Sequence, residues 1–379
     1  GTHAAMAITG SGTARIGNSA TFTNGLTVTG AAELEAFSAG RHAYMSLEEG
    51  LTVTGALTLS AVNGREAELR LRGGQAVDGS GEIVLSRANA LAGEAIFNRI
   101  ELQSTDRSET EIATFGEDLT LRGAGELTVN RGEDRLQVLG LVRGETGTLT
   151  LRFVDNDGAA VTVDASAGGV AFGSRLDDTV VRGVAAADGA PFDPGAVRLL
   201  DGVELRAVTF DMDARIGATG TSERVSSHDG LTVNGTLELA GGRDGRDAWL
   251  RVFGAQTVEG TGRIAMTRAN AETGAPDNDI RFESLTGEAE VLTFGAGLAI
   301  EGFGTVSAVR DEDSVQILGT VRGTADGALG LYDLDNRGAT VTVDASLGGV
   351  FVGDRATDTV FAAAAGQTGA LGFVRDAVL

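Results

Sequence analysis

The residues able to do chemistry in this 379-residue chain are nearly all carboxylates and arginines. There are 53 Asp and Glu against 30 basic residues, every one of them arginine, with three histidines and no cysteine. Without cysteine there is no disulfide, no thiolate nucleophile and no thiolate-ligated zinc. His3, His42 and His228 stand in polar surroundings outside any repeated motif and read as exposed residues. Neither an HExxH nor a GxSxG arrangement occurs, so zinc-peptidase and serine-hydrolase chemistry have no candidates. What the carboxylates leave open is polysaccharide cleavage, which needs paired acids, or Asp clusters with Arg, on one exposed face. Sugar sites also use aromatic platforms, and Trp249, Tyr44 and Tyr332 are the only aromatics besides phenylalanine.

Metal chemistry has one candidate. Asp155-Asn156-Asp157-Gly158 matches Asp335-Asn336-Arg337-Gly338, and hard oxygens clustered before a glycine turn suit calcium. Asp155, Asp157 and Asp335 are therefore the calcium candidates, and no other cofactor is expected. No glutamate follows at the EF-hand distance, and the second copy carries Arg337 in place of an aspartate. An Asx turn between two strands accounts for the same letters. Asp211 and Asp213 admit the same two readings. Asp164, Arg175 and Asp178 recur as Asp344, Arg355 and Asp358, a doubling that suits turn caps or Arg–carboxylate links between neighbouring coils. The net charge of −23 argues against binding a nucleic-acid backbone, which needs clustered cations, and should keep molecules apart laterally. No uninterrupted apolar run approaches the ~18 residues of a membrane-spanning helix.

The elements that must position these residues come in two copies. Val161–Val180 (VTVDASAGGVAFGSRLDDTV) and Val341–Val360 (VTVDASLGGVFVGDRATDTV) agree at most positions, 180 residues apart. LTVTG at Leu51 answers LTVNG at Leu231, and SRANA at Ser86 answers TRANA at Thr267. GLTVTG occurs at Gly25 and again at Gly50, so the first copy holds one added coil near 25–50. Residues 1–201 form a first unit and residues 202–379 a second, continuous with it. Because residue 379 stops at the phase where residue 1 begins, the pattern suits head-to-tail self-association through the ends.

Within each unit a shorter rhythm of about 21 residues appears, one that suits a stacked repeat. Val77–Leu85 (VDGSGEIVL), Leu121–Val129 (LRGAGELTV) and Val142–Leu151 (VRGETGTLTL) read as successive steps, as do Val258–Met266, Ile300–Ala308 and Val321–Leu331. Each step holds short runs alternating apolar residues with Thr, Arg or Glu, broken by Gly, Asn or Asp. Alternation turns one side chain inward and the next to solvent. The expected fold is all-β: a parallel β-helix, or β-solenoid, of ~21-residue coils with right-handed winding. There are 57 glycines and only three prolines, Pro191, Pro194 and Pro276, each in a segment that reads as a loop. Strands paired on both sides exclude proline, because it deletes a ladder hydrogen bond.

The steps GSGEIVL, GAGELTV and GTGRIAM resemble the coils of bacterial cell-surface β-helix repeat proteins, the autotransporter passengers and filamentous-haemagglutinin-like adhesins. That resemblance implies secretion, an extracellular or cell-surface location, and a structural rather than enzymatic role. A filament subunit or an adhesin stalk is expected, with surface glycans or other cells as partners. The alternative is a β-helix polysaccharide lyase or hydrolase.

Overall fold

The computed structural model describes the chain except residues 1, 4, 11–12, 18, 36–41, 63–64, 90–97, 185–196, 218–221, 242–246, 268–277, 326, 366–370 and 374–379. The three prolines fall outside the described residues. Two compact units are present, Gly1–Ala196 and Val197–Leu379. Among the described residues every named element is a β-strand and the strands pair in parallel, so the β-solenoid expected from the sequence is the fold. Among the described residues no helix is long and apolar enough to cross a membrane.

One turn of the first unit shows how the sequence makes a coil. Ala67–Arg72 forms a first face, Gln75–Asp78 a second and Glu82–Asn89 a third. Along AELRLR the side chains of Ala67, Leu69 and Leu71 are buried, while Glu68, Arg70 and Arg72 point outward. Parallel pairing then puts like on like. On the first face Met45, Leu69, Ile100, Leu127, Leu151 and Phe172 form one inward column through successive turns. In the second unit Val203, Val225, Leu250, Ile280, Val306, Leu331 and Val352 do the same. Each such side chain contributes about 1.5–3 kcal/mol of burial, and the interior is these columns.

The step of about 21 holds only where turns lack excursions. Leu121, Val142 and Val163 pair at intervals of 21 residues, as do Ile300 and Val321. Elsewhere Leu34 pairs with Leu59 across 25 residues and Ile83 with Leu121 across 38, so the turn averages about 24. Leu26 pairs with Leu51, so the two GLTVTG segments lie on the same face of adjacent turns.

The glycine motif also needs a correction. Val77 lies on the second face and pairs with Phe115, whereas Leu121 lies on the third and pairs with Ile83. VDGSGEIVL and LRGAGELTV are therefore not equivalent steps. Gly79-x-Gly81 turns the chain from the second face to the third, and Gly123-x-Gly125 turns it from the third to the first. The same letters recur because both corners need the same backbone. Gly79 and Gly123 have φ of +119° and +115°, and a Cβ there would meet a carbonyl oxygen of the preceding turn at 2.0 and 2.2 Å. Only glycine fits such a corner.

Candidate functional site

The polar residues that recur in both units are bound into the corners. Asn156 is fully buried; its Nδ2 donates to the carbonyl of Val138 at 2.8 Å and its Oδ1 accepts from the amide of Val138 at 2.7 Å. Asn336 repeats both bonds with Ile317 at 2.8 Å. The asparagine side chain thus replaces a strand neighbour where the chain leaves the ladder. Asp134 and Asp313, both buried, accept the amides of Glu111 and Glu290 at 3.0 Å. Asp164 takes Arg143 Nε at 2.8 Å and the Ser166 amide at 3.0 Å, and Asp344 takes Arg322 at 2.9 Å and Ser346 at 3.1 Å. Burial pushes the Asp164 carboxyl upward, but the bonds from Ser166 and Arg143 outweigh it and hold it below the usual range. Ser346, then Arg322, lowers that of Asp344. These are the turn caps and Arg–carboxylate links expected of that repeated pair. Arg175 instead pairs with Asp177, and Arg355 donates to the Asp313 carbonyl at 2.8 Å.

The calcium candidates stand at the Asx turn. Asp155 Oδ1 accepts the Asp157 amide at 3.3 Å, and Asp335 Oδ1 accepts the Arg337 amide at 3.1 Å. Asp157 and Arg337 both hold φ of +51°. Among the described residues no three His, Asp or Glu side chains come together as a cation site. The residue that sequence reading passed over is Asn156. Its identity with Asn336, beside the Asp157-to-Arg337 change, was the available signal.

The histidines and aromatics are mostly engaged. His228 stacks on Phe253 with ring centres 4.8 Å apart, and burial, then Arg206, lowers its pKa. His42 Nδ1 accepts the Glu66 amide at 3.3 Å. Trp249 is sandwiched between Arg224 at 4.4 Å and Arg281 at 4.5 Å, and Tyr44 lies under Arg70 at 4.5 Å. Neither ring offers two free faces to a sugar. No family of known proteins, no curated protein and no solved structure matches this chain.

Tyr332 is different. On the first face of the second unit one outward column runs Arg224, Trp249, Asp279, Thr305, Gly330, Phe351. The corresponding column of the first unit runs Tyr44, Glu68, Arg99, Glu126, Thr150, Ala171. In the first unit Glu126 is held between Arg99 at 3.4 Å and Arg152 at 2.5 Å. In the second, Asp279, Thr305 and Tyr332 stand at those three positions, and Phe303 and Phe351 replace Ala124 and Ala171. The result is a cavity of about 210 Å³ lined by Asp279, Phe303, Thr305, Gly330, Tyr332 and Phe351, among others. Sequence reading named Tyr332 but missed both phenylalanines, whose signal was their mismatch with alanine in the other copy.

Directly after Tyr332 the chain turns onto the second face at Asp333, and one turn later at Asp354, with φ of +54° and +52°. Phe153 and Ser174 hold these corners in the first unit. Burial, then the nearby Asp354 carboxylate, pushes the Asp333 carboxyl up, partly offset by Arg355. Each unit also carries an open polar groove on its second face, about 440 Å³ with Thr27, Thr52 and Asp78 outward in register, and about 630 Å³ with Thr209, Thr232 and Glu259.

Proposed function

We propose that this protein is a structural, non-catalytic β-solenoid of the cell surface or extracellular space, serving as a filament subunit or an adhesin stalk. One observation carries the reading: the polar residues kept in both units hold corners and link turns, so what was preserved on duplication is a scaffold. Self-association is supported by the outermost described strands. Met6–Ile8 and Thr13–Gly17 each pair on one edge only among the described residues, as do Val360–Ala363 and Leu371–Phe373. Met6, Val360 and Phe373 are 41%, 51% and 49% exposed there, though apolar. An unpaired strand edge with apolar side chains is a template for a further parallel turn, from the same chain or another copy. Sedimentation velocity over a concentration series, with electron microscopy of the same samples, tests this. Growth into linear assemblies that Phe373→Asp reduces is the expected result, and a monodisperse monomer at every concentration would remove self-association.

The second reading, a polysaccharide lyase or hydrolase, is favoured by Asp333 and Asp354. They are neighbouring carboxylates of which one, Asp333, is raised by burial and by the Asp354 charge, and a pair whose affinities for protons are pushed apart is what an acid and a base require. Release of reducing ends or unsaturated products from polysaccharide, abolished by Asp333→Asn, would establish this reading over the scaffold.

A further inference from the structure

We propose that the cavity on the first face of the second unit, around Phe303, Tyr332 and Phe351, binds one neutral sugar ring of a glycan chain. This goes beyond the scaffold reading and stands whether or not the molecules assemble. Duplication supplies an internal control. The equivalent positions of the first unit carry Ala124, Arg152 and Ala171, and that face forms the same parallel ladder with no aromatic ring at any of the three. The rings are therefore not needed to build the fold.

Their placement matches what a sugar ring asks for. A pyranose offers a C–H face to an aromatic ring and hydroxyls at its edge to polar groups. Phe351 is 40% exposed, an apolar ring left to solvent beside the cavity. Asp279 and Thr305 supply the polar side. Thr305 Oγ1 donates to Asp279 Oδ1, and Arg281 Nη2 donates to Oδ2 at 2.7 Å. Arg281 Nε donates to Oδ2 as well, at 3.2 Å, so those bonds fix the carboxylate and Oδ1 keeps acceptor capacity for a sugar hydroxyl. The Tyr332 hydroxyl has no hydrogen-bond partner among the described residues and is a donor at the same rim. Gly330 supplies the room: a Cβ there would meet Tyr332 Cε2 at 2.8 Å, and the first unit has Thr150 at this place.

Charge selects the class. Asp279 and Arg281 neutralise one another, so a uronate or sulfated sugar would meet no unpaired cation, and the chain as a whole carries −23. A volume of about 210 Å³ is below the ~300 Å³ at which whole-ligand pockets begin, which suits a single ring of a longer chain.

The test uses the full chain and saturation-transfer NMR with isothermal titration against four neutral oligosaccharides, cello-, manno-, xylo- and galacto-hexaose, and one hexauronate. The variant carries Phe303→Ala, Tyr332→Arg and Phe351→Ala together, the residues that the first unit already accommodates. Circular dichroism and the unfolding midpoint verify its fold, and Gly330→Thr alone is a second variant that keeps all three rings in the sequence but displaces that of Tyr332 from its seat. Expected are saturation transfer to at least one neutral hexaose, a tenfold or greater loss in both variants, and none for Tyr44→Ala in the first unit. Absence of binding to all four neutral sugars at millimolar concentration would overturn the proposal. Unchanged binding in the variants, or tighter binding of the hexauronate, would do so equally.

Discussion

The first faces of the two units carry inward columns that are apolar throughout and outward ones that are opposite in character. In the first unit Arg99, Glu126 and Arg152 tie three turns together through charge, with the guanidinium of Arg152 lying over Gly173. In the second unit Tyr332 lies over the matching Gly353, and Asp279, Thr305 and the phenylalanines replace the ladder with a cavity. Inside, a polar group would lie against every neighbouring turn, so each position stays apolar even where size differs, as Phe172 against Val352 and Met45 against Val225. Outside, any side chain that covers the backbone glycine suffices, and the position is free to acquire a ligand. Difference between copies therefore marks function here more sharply than similarity does.

The largest effects should be equal in the two units and test whether they share one framework. Asn156→Ala and Asn336→Ala each leave a buried amide and carbonyl without partners and should cost about 3 kcal/mol. Denaturant unfolding measures both, and a neutral result for either would break the equivalence of the units. Next, Glu126→Gln leaves Arg99 and Arg152 without their carboxylate. With both arginines about a third exposed, the loss should be about 1 kcal/mol and should shrink in 1 M salt. A salt-independent loss would mean that Glu126 acts by packing and that the contrast with the second unit is not one of charge.

A pH series sharpens the comparison further. The carboxyls of Asp164 and Asp344 are both lowered by their Arg and Ser partners, so their stabilisation is present above the ordinary aspartate range and fades as pH falls through the folded value. Asp164→Asn and Asp344→Asn should each lower stability at pH 7 by about 1 kcal/mol. The gap to the parent protein should close as pH falls below the ordinary aspartate range and through the lowered folded values. Asp333 runs the other way. Its carboxyl is raised, so deprotonation on the way to neutral pH weakens the fold, and Asp333→Asn should be stabilising at pH 7 and neutral in acid. Thermal unfolding at the two pH values decides; equal behaviour of all three would show that Asp333 is not held by burial. The smallest effect belongs to Phe351→Ala. At 40% exposure it should change stability by less than about 1 kcal/mol, and a larger loss would make the ring part of the scaffold.

The repeat was legible because duplication leaves identical letters at a fixed distance, and the strands were legible because alternation in AELRLR or LTLRG is itself the pattern of burial. The corners were harder. GSGEIVL and GAGELTV look alike because any tight corner against a neighbouring turn demands a residue without Cβ, so composition says that a corner exists and not which one. Asp155 and Asp157 drew attention as oxygen donors, whereas the bond-maker was the asparagine between them. That role depends on Val138, a strand of an adjacent turn.

Alternation, glycine and the doubled motifs together determined a parallel β-solenoid of two related units, because those features follow from the chain's own period. Which turn lies beside which was decided only by the folded chain. Excursions of different length separate paired residues by 21 positions at Leu121 and Val142 but 38 at Ile83 and Leu121, and no single period covers that variation. The cavity is of this second kind. Asp279, Thr305, Gly330 and Phe351 are far apart in sequence and come together only because parallel register stacks them, one turn above another.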